Sequence, residues 1–292
     1  MSRLIINADD FGLTAGVNRA ILELHSAGVL TSTTLMARAG ATDDALEKAR
    51  GARTLGVGCH VVLVDGAPTL QASEIPSLVE RGTGVFRNSL TAFLALLLTG
   101  RIKSAEIEAE TSAQIEALQS KGLKLTHVDT HKHTHMFPGV LRPVLRAARK
   151  AGIRAVRNPF EPAWAVRATA GAPLARVAQV NLLRRMQDRC RQIIAEEGFV
   201  TTDGTIAVVG TGVFNAEMVR SLLGQLPEGT WELVTHPGYN DADLDKVRTR
   251  LRASREVEMQ ALAAVKEFKE IELISYRDLS VEAANGASGS AS

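Results

Sequence analysis

Short apolar, β-branched runs alternate along this chain with segments whose apolar residues recur at helical spacing. Arg3–Ala8 reads as a strand and Ala15–Ala27 as the helix after it. Val29–Met36, Leu55–Val64, Leu123–Asp129, Ile153–Val156, Thr205–Val209, Trp231–Thr235 and Ile271–Ser275 read as further strands. Between them the spacing predicts helices over Asp43–Arg50, Glu106–Lys121, Val140–Ala151, Leu174–Glu197, a stretch from about Asn215, and a long charged one over Asp243–Lys269. Repeated strand–helix alternation implies parallel strands joined by crossover helices. An open doubly wound sheet and a closed barrel both satisfy it. The barrel is favoured because polar clusters follow several different strands, as in a site gathered at the C-terminal mouth. The expectation is one α/β domain over 1–280. An insertion at about 66–104 opens in a Gly/Pro-marked loop and carries the apolar Leu90–Leu98 helix; Phe160–Pro173 is a second long connection. Such connections are often lids or substrate walls. The Gly/Ser/Ala-rich stretch 281–292 is expected to be an unstructured tail.

The chemistry-bearing residues sit at strand ends. Asn7-Ala8-Asp9-Asp10-Phe11-Gly12 closes the first strand with two adjacent carboxylates, which on extended backbone point to opposite sides and suit two different jobs. The competing reading is a helix cap, but a cap needs one Asp and Thr14 is better placed. Gly58-Cys59-His60 lies in the third strand, where a lone His is more often a satisfied core residue than a ligand. Thr126-His127-Val128-Asp129-Thr130-His131-Lys132-His133-Thr134-His135 is different: four of the seven histidines fall within it. Burying several imidazoles is costly unless each has a partner, and imidazole is the commonest metal ligand among groups titrating near neutrality. One carboxylate and two histidines leave coordination positions open for water and substrate; the remaining histidines then orient ligands or touch substrate. Thr235-His236-Pro237-Gly238 ends another strand with a His held extended by the Pro, and packing and catalysis remain equal readings there. Val209-Gly210-Thr211-Gly212 mimics a dinucleotide-binding turn, but position 215 is Asn215 and the motif comes late in the chain.

Composition narrows the field. A net charge of +2 with scattered basic residues gives no case for a nucleic-acid partner; Arg184–Arg185 reads as a solvated helix face. Cys59 and Cys190 form no CxxC pair, so a reducing cytosol fits better than a disulfide framework. The start turns acidic before a signal-peptide core forms, and no apolar run reaches the ~18 residues of a membrane span.

Taken together, Asn7–Gly12, Thr31-Ser32-Thr33-Thr34, Gly58-Cys59-His60, Thr126–His131 with His133 and His135-Met136-Phe137-Pro138, and His236-Pro237-Gly238 resemble the YdjC-like carbohydrate deacetylases, which include chitooligosaccharide deacetylases. The resemblance spans Arg3 to about Leu279. It implies a distorted TIM-like barrel related to that of polysaccharide deacetylases. It also implies one divalent ion, Zn2+ or Mg2+, on Asp10, His60 and His131, with Asp9 as general base and His236 as general acid. Arg157-Asn158-Pro159-Phe160 has the form of an Arg-x-Pro-aromatic motif, which by analogy pairs Arg157 with Asp9. His127, His133, His135, Phe11 and Pro159 are the candidate substrate contacts. Lys132 stands where some relatives carry a His, which leaves the ligand set intact but alters what faces substrate. Arg154–Pro162 is most similar to the branch associated with hopanoid biosynthesis. That branch implies an N-acetylglucosaminyl bacteriohopane polyol as substrate, with Leu90–Leu98 as an apolar wall and a cytoplasmic enzyme peripheral to the inner membrane. Two rivals stand beside this reading: a phosphoesterase, which would want a second metal and more clustered acids, and a non-catalytic sugar- or lipid-binding protein.

Overall fold

Among the described residues, seven parallel strands organise the fold: β1 (Ser2–Phe11), β2 (Ser32–Leu35), β3 (Gly56–Val61), β4 (Val128–Thr130), β5 (Gly204–Ile206), β6 (Gly229–Thr235) and β7 (Glu272–Leu273). The structure is a computed structural model that describes residues 1–169 and 171–289, with side chains to residue 282. The strand order is β4-β3-β2-β1-β6-β5. β1 is the central stave, pairing with β6 from Ser2 to Ala8. β2 meets β1 only from Asn7 onward, and β7 takes the lower positions Arg3 and Leu4. From Leu4 to Phe11 every residue of β1 is buried, as expected of a parallel sheet covered on both faces.

The sheet curls, and its two edges are linked by irregular backbone. The Ile153–Val156 run does not form a regular strand; it contributes single parallel bridges, Val128 to Val156 and Ala155 to Val200. The Thr205 amide then donates to the Phe160 carbonyl at 3.2 Å. The expected α/β architecture with a distorted barrel is therefore present, its irregular sector lying between β4 and β5.

Two predicted helices are interrupted. Leu174–Glu197 divides into Leu174–Leu183, a 3-10 turn at Arg184–Met186, and Gln187–Glu196. Asp243–Lys269 divides into Ala242–Asp245, Ala253–Ala261 and a 3-10 segment Leu262–Glu267. At the second break Arg252 reaches back to the Asp245 carboxylate and carbonyl. Beyond it, Arg255 and Glu258 are both buried. In the insertion, only Phe93 of the Leu90–Leu98 helix is buried. Of the stretch 281–292 expected as a tail, the residues to Gly289 end a helix that starts at Tyr276, and 290–292 lie outside the described residues. Arg3 of β1 binds Glu282 on that helix at 2.7 Å, giving the segment a tertiary anchor that composition does not display.

Candidate active site

The expected groups gather at the C-terminal end of the barrel. Thr14, not either Asp, caps the first helix by accepting from the Val17 amide at 3.2 Å, so both carboxylates of β1 are free for other work. Asp10 has φ +65°, a left-handed conformation sparsely populated by non-glycine residues and concentrated at functional sites. The two side chains meet different partners.

Asp9 receives the Arg157 guanidinium on both oxygens, at 2.9 and 2.7 Å, and the Asn7 amide at 3.0 Å. Burial alone would raise its carboxyl, but Arg157, followed by His60 and His236, holds it far below the usual carboxylate range. Arg157 is itself fully buried and also binds Asp129 and, at 2.7 Å, Glu232. Burial opposes its charge, yet Asp129, Asp9 and Glu232 push its pKa well above the ordinary value. Burial raises the Glu232 carboxyl despite the guanidinium beside it, and the Tyr276 hydroxyl donates to Glu232 at 2.5 Å.

Asp10 presents Oδ1 to two imidazoles, 3.7 Å from His60 Nε2 and 3.6 Å from His131 Nδ1, while those nitrogens are 3.3 Å apart. Ligand atoms held at about 2.0–2.2 Å from one zinc-like centre have this mutual spacing, so the donor set fits a single divalent ion. The far nitrogen of His60 lies 2.8 Å from Asp129, the carboxylate–histidine pairing that sets the tautomer and orientation of a ligating ring. Burial would lower the His60 pKa, but Asp129 and then Asp9 and Asp10 raise it to about 9; ligation would displace that proton. Thr34 Oγ1 sits among these groups, 3.1 Å from His60 Nδ1 and within 3.4 Å of Asp129 and Asp9. In a second cluster, Asp9, His60 and Asp129, both carboxylates are already bound to the Arg157 guanidinium.

The other histidines divide by accessibility. His127 is fully buried, stacked on Tyr276 at 3.8 Å and hydrogen-bonded to Asn7 at 3.2 Å; it supports the site from below. Gly58 permits that packing, because a Cβ there would lie 2.6 Å from the imidazole. His135 is also buried, with Nδ1 2.7 Å from Thr130. Phe11 and Pro159 are buried. His133, partly exposed and at φ +51°, is the one of these candidates with accessible surface. Its pKa is lowered to about 3, by burial and then by the Arg157 charge, so its ring is neutral. The Val209–Gly212 turn offers no phosphate cradle, since Glu161 already accepts from the Ala207 and Val209 amides at 2.9 and 2.7 Å.

His236 Nε2 lies 3.8 Å from Asp9 and Nδ1 lies 3.9 Å from Glu258. Burial lowers its pKa, but Glu258 and then Asp9 and Asp10 raise it above the ordinary value. The Glu258 carboxylate also accepts the His236 amide at 3.0 Å. One turn away, Arg255 donates to Asp10 Oδ2 at 2.6 Å; burial would raise the Asp10 carboxyl, and Arg255, His131 and His60 hold it well below the carboxylate range. Arg255 and Glu258 escaped sequence reading because, within a charged helical stretch, they look like any solvated pair.

A family model described as YdjC-like protein matches residues 3–271. The chain belongs to the YdjC-like family. Among its relatives, a protein of Brevibacillus brevis named carbohydrate deacetylase is 31% identical over 282 residues, 95% of this chain and 99% of that one. A chitooligosaccharide deacetylase of Escherichia fergusonii is 38% identical over 152 residues, 51% of this chain and 57% of that one. In three dimensions this YdjC-like protein is similar to a protein of Enterococcus faecalis V583 described as a cellobiose-phosphate cleavage protein. The TM-score is 0.77 and the identity 26%, covering 96% of this chain and 99% of that one.

Proposed function

We propose that this protein is a carbohydrate deacetylase that hydrolyses the N-acetyl group of an amino sugar with one divalent ion held by Asp10, His60 and His131. The observation that carries the reading is that two adjacent carboxylates have different partners: Asp10 presents Oδ1 to the two imidazoles with Oδ2 on Arg255, while Asp9 is held ionised by Arg157 beside His236. A divalent ion in that position supplies Lewis acidity to the acetyl carbonyl and to the attacking water. Asp9, ionised at neutral pH, takes the proton from that water. His236, its pKa raised by Glu258, keeps a proton to give to the departing sugar amine. Each such proton transfer contributes on the order of 10²–10⁴-fold. Asp129 keeps the His60 ring turned, and His133 offers a neutral ring to the sugar. Two imidazoles suit zinc, while oxygen-rich open positions tolerate magnesium.

The substrate reading goes one step further, to an N-acetylglucosaminyl bacteriohopane polyol. The Arg154–Pro162 resemblance supports it, and so does the Leu90–Leu98 helix, which leaves Leu98 77% exposed and borders Gly139 with Leu97. Among the described residues no helix is long and apolar enough to cross a membrane, so contact with a lipid would be made at the surface. The test is acetate release from N-acetylglucosaminyl hopanoid and from diacetylchitobiose, using metal-free enzyme and enzyme with zinc or magnesium restored. Metal-dependent release from the hopanoid alone supports both parts. Release from the chitobiose alone keeps the chemistry and overturns the lipid substrate. No release from either by metal-loaded enzyme overturns the amide-hydrolase reading.

A further inference from the structure

We infer that Arg255 and Glu258, one turn apart on the Ala253–Ala261 helix, are positioning residues that tie the Asp10 carboxylate and the His236 ring to one rigid element. The inference rests on the deacetylase reading and deepens it. Both side chains are almost completely buried, at 1% and 2% exposure, a condition Arg and Glu meet only when engaged. Arg255 Nη2 binds Asp10 Oδ2 at 2.6 Å. With Oδ2 so occupied, Oδ1 is the oxygen left toward His60 and His131, and the carboxylate is confined to single-oxygen donation. The same guanidinium reaches the Leu251 carbonyl with Nε at 3.1 Å and the His236 carbonyl with Nη1 at 3.4 Å.

Glu258 holds the other side. Its Oε1 accepts the His236 amide at 3.0 Å and lies 3.9 Å from His236 Nδ1. Its Oε2 and the His236 Nδ1 are both buried without another partner, so each is the group available to the other. A small closure of that gap makes an Nδ1–H···Oε bond and leaves Nε2 directed toward Asp9 and the cleft. Hydrogen bonds of this kind often tighten only in the substrate complex. The charged groups facing His236 are therefore Asp9 from β1, Asp10 from β1 and Glu258 from the helix. The neutral His133 ring faces it from the histidine segment, and Arg255 touches only its carbonyl.

Arg255→Met, Arg255→Lys and Glu258→Gln, with Asp10→Asn as reference, separate this role from simple packing. Zinc affinity is measured by competition with a chromogenic chelator, melting with and without zinc, and kcat and KM against pH on an N-acetyl sugar that the wild type turns over. Loss of a partner that orients a ligand typically weakens metal binding about 10–100-fold. Arg255→Met should show that loss and, because zinc then stabilises it less, a melting temperature that drops more in the zinc-loaded than in the metal-free protein, with partial rescue by Arg255→Lys. Charge removal alone would tighten cation binding, so unchanged or tighter zinc binding in Arg255→Met overturns the positioning role. Glu258→Gln should keep zinc affinity and KM, lower kcat at least tenfold, and move the alkaline limb of kcat to lower pH. An unmoved limb with kcat within twofold overturns that half. If wild type binds zinc no better than Asp10→Asn, the metal-site reading itself has failed, a result distinct from either of these.

Discussion

Replacing Arg157 by Met removes the one cation that three buried carboxylates share. The guanidinium is fully buried and bonded to Asp9, Asp129 and Glu232. Breaking a buried ion pair by deleting one partner costs about 3–5 kcal/mol, a large share of the ~5–15 kcal/mol of a typical domain, so the variant should fold but melt early. Its pH dependence is the sharper signature. In the wild type, Asp9 is depressed, so its contribution to stability is present above the unfolded carboxylate value of ~3.9 and is lost only as pH falls through the lower folded value. Without the guanidinium, burial is the dominant influence on Asp9 and Glu232, and the folded values move upward. A raised carboxyl stabilises below its unfolded value and loses that contribution as pH rises through the folded one. The destabilisation should therefore be larger at pH 7 than at pH 5, growing by up to about 1.4 kcal/mol per pH unit for each proton retained on folding. Urea unfolding of both proteins at the two pH values measures this directly. A difference that is the same at pH 5 and pH 7, or below 1 kcal/mol throughout, would refute the claim that Arg157 compensates these carboxylates. Deacetylation by the variant should fall with the loss of ionised Asp9, by about 10²–10⁴-fold.

Asp9→Asn should keep one bound zinc per chain yet lose about 10²–10⁴-fold in kcat; near-native turnover would remove Asp9 from the base role. His60→Ala and His131→Ala should each lose the ion on dialysis, read by elemental analysis of the protein. Because the His236 pKa is raised, the acid form persists above the ordinary ~6.5, and kcat should hold at pH 7 and decline only on a more alkaline limb; a limb below 6.5 would contradict the assignment. Gly58→Ala places a methyl against the His127 ring and should cost about 1–3 kcal/mol by overpacking, visible as a lowered melting temperature. Polar substitutions at Leu94 and Leu98 should reduce activity on the lipid-linked sugar while sparing diacetylchitobiose; equal effects on both would exclude an apolar substrate wall there.

Much of this protein is legible in one dimension because its signals are local. Short apolar β-branched runs and helical spacing mark the strands and helices, and strand–helix alternation implies a parallel sheet whatever the side chains do later. The chemistry also sits in short motifs at strand ends, Asp9–Asp10, His60, His131 and His236, since parallel strands carry their functional groups to one mouth. What the pattern overstates is continuity: Ile153–Val156 keeps only single bridges, and Asp243–Lys269 breaks where Arg252 folds onto Asp245. The division of labour among the histidines was also out of reach, because burial separates His127 and His135 from His133, and burial belongs to packing. Arg157, Asp129 and Glu232 lie far apart along the chain yet meet in space, and Arg255 and Glu258 have the sequence of a solvated helix face. Sequence by itself determined the order of elements and the inventory of reactive groups. Only the tertiary structure decided which charges face one another, because that depends on how distant elements pack and on the exclusion of water between them.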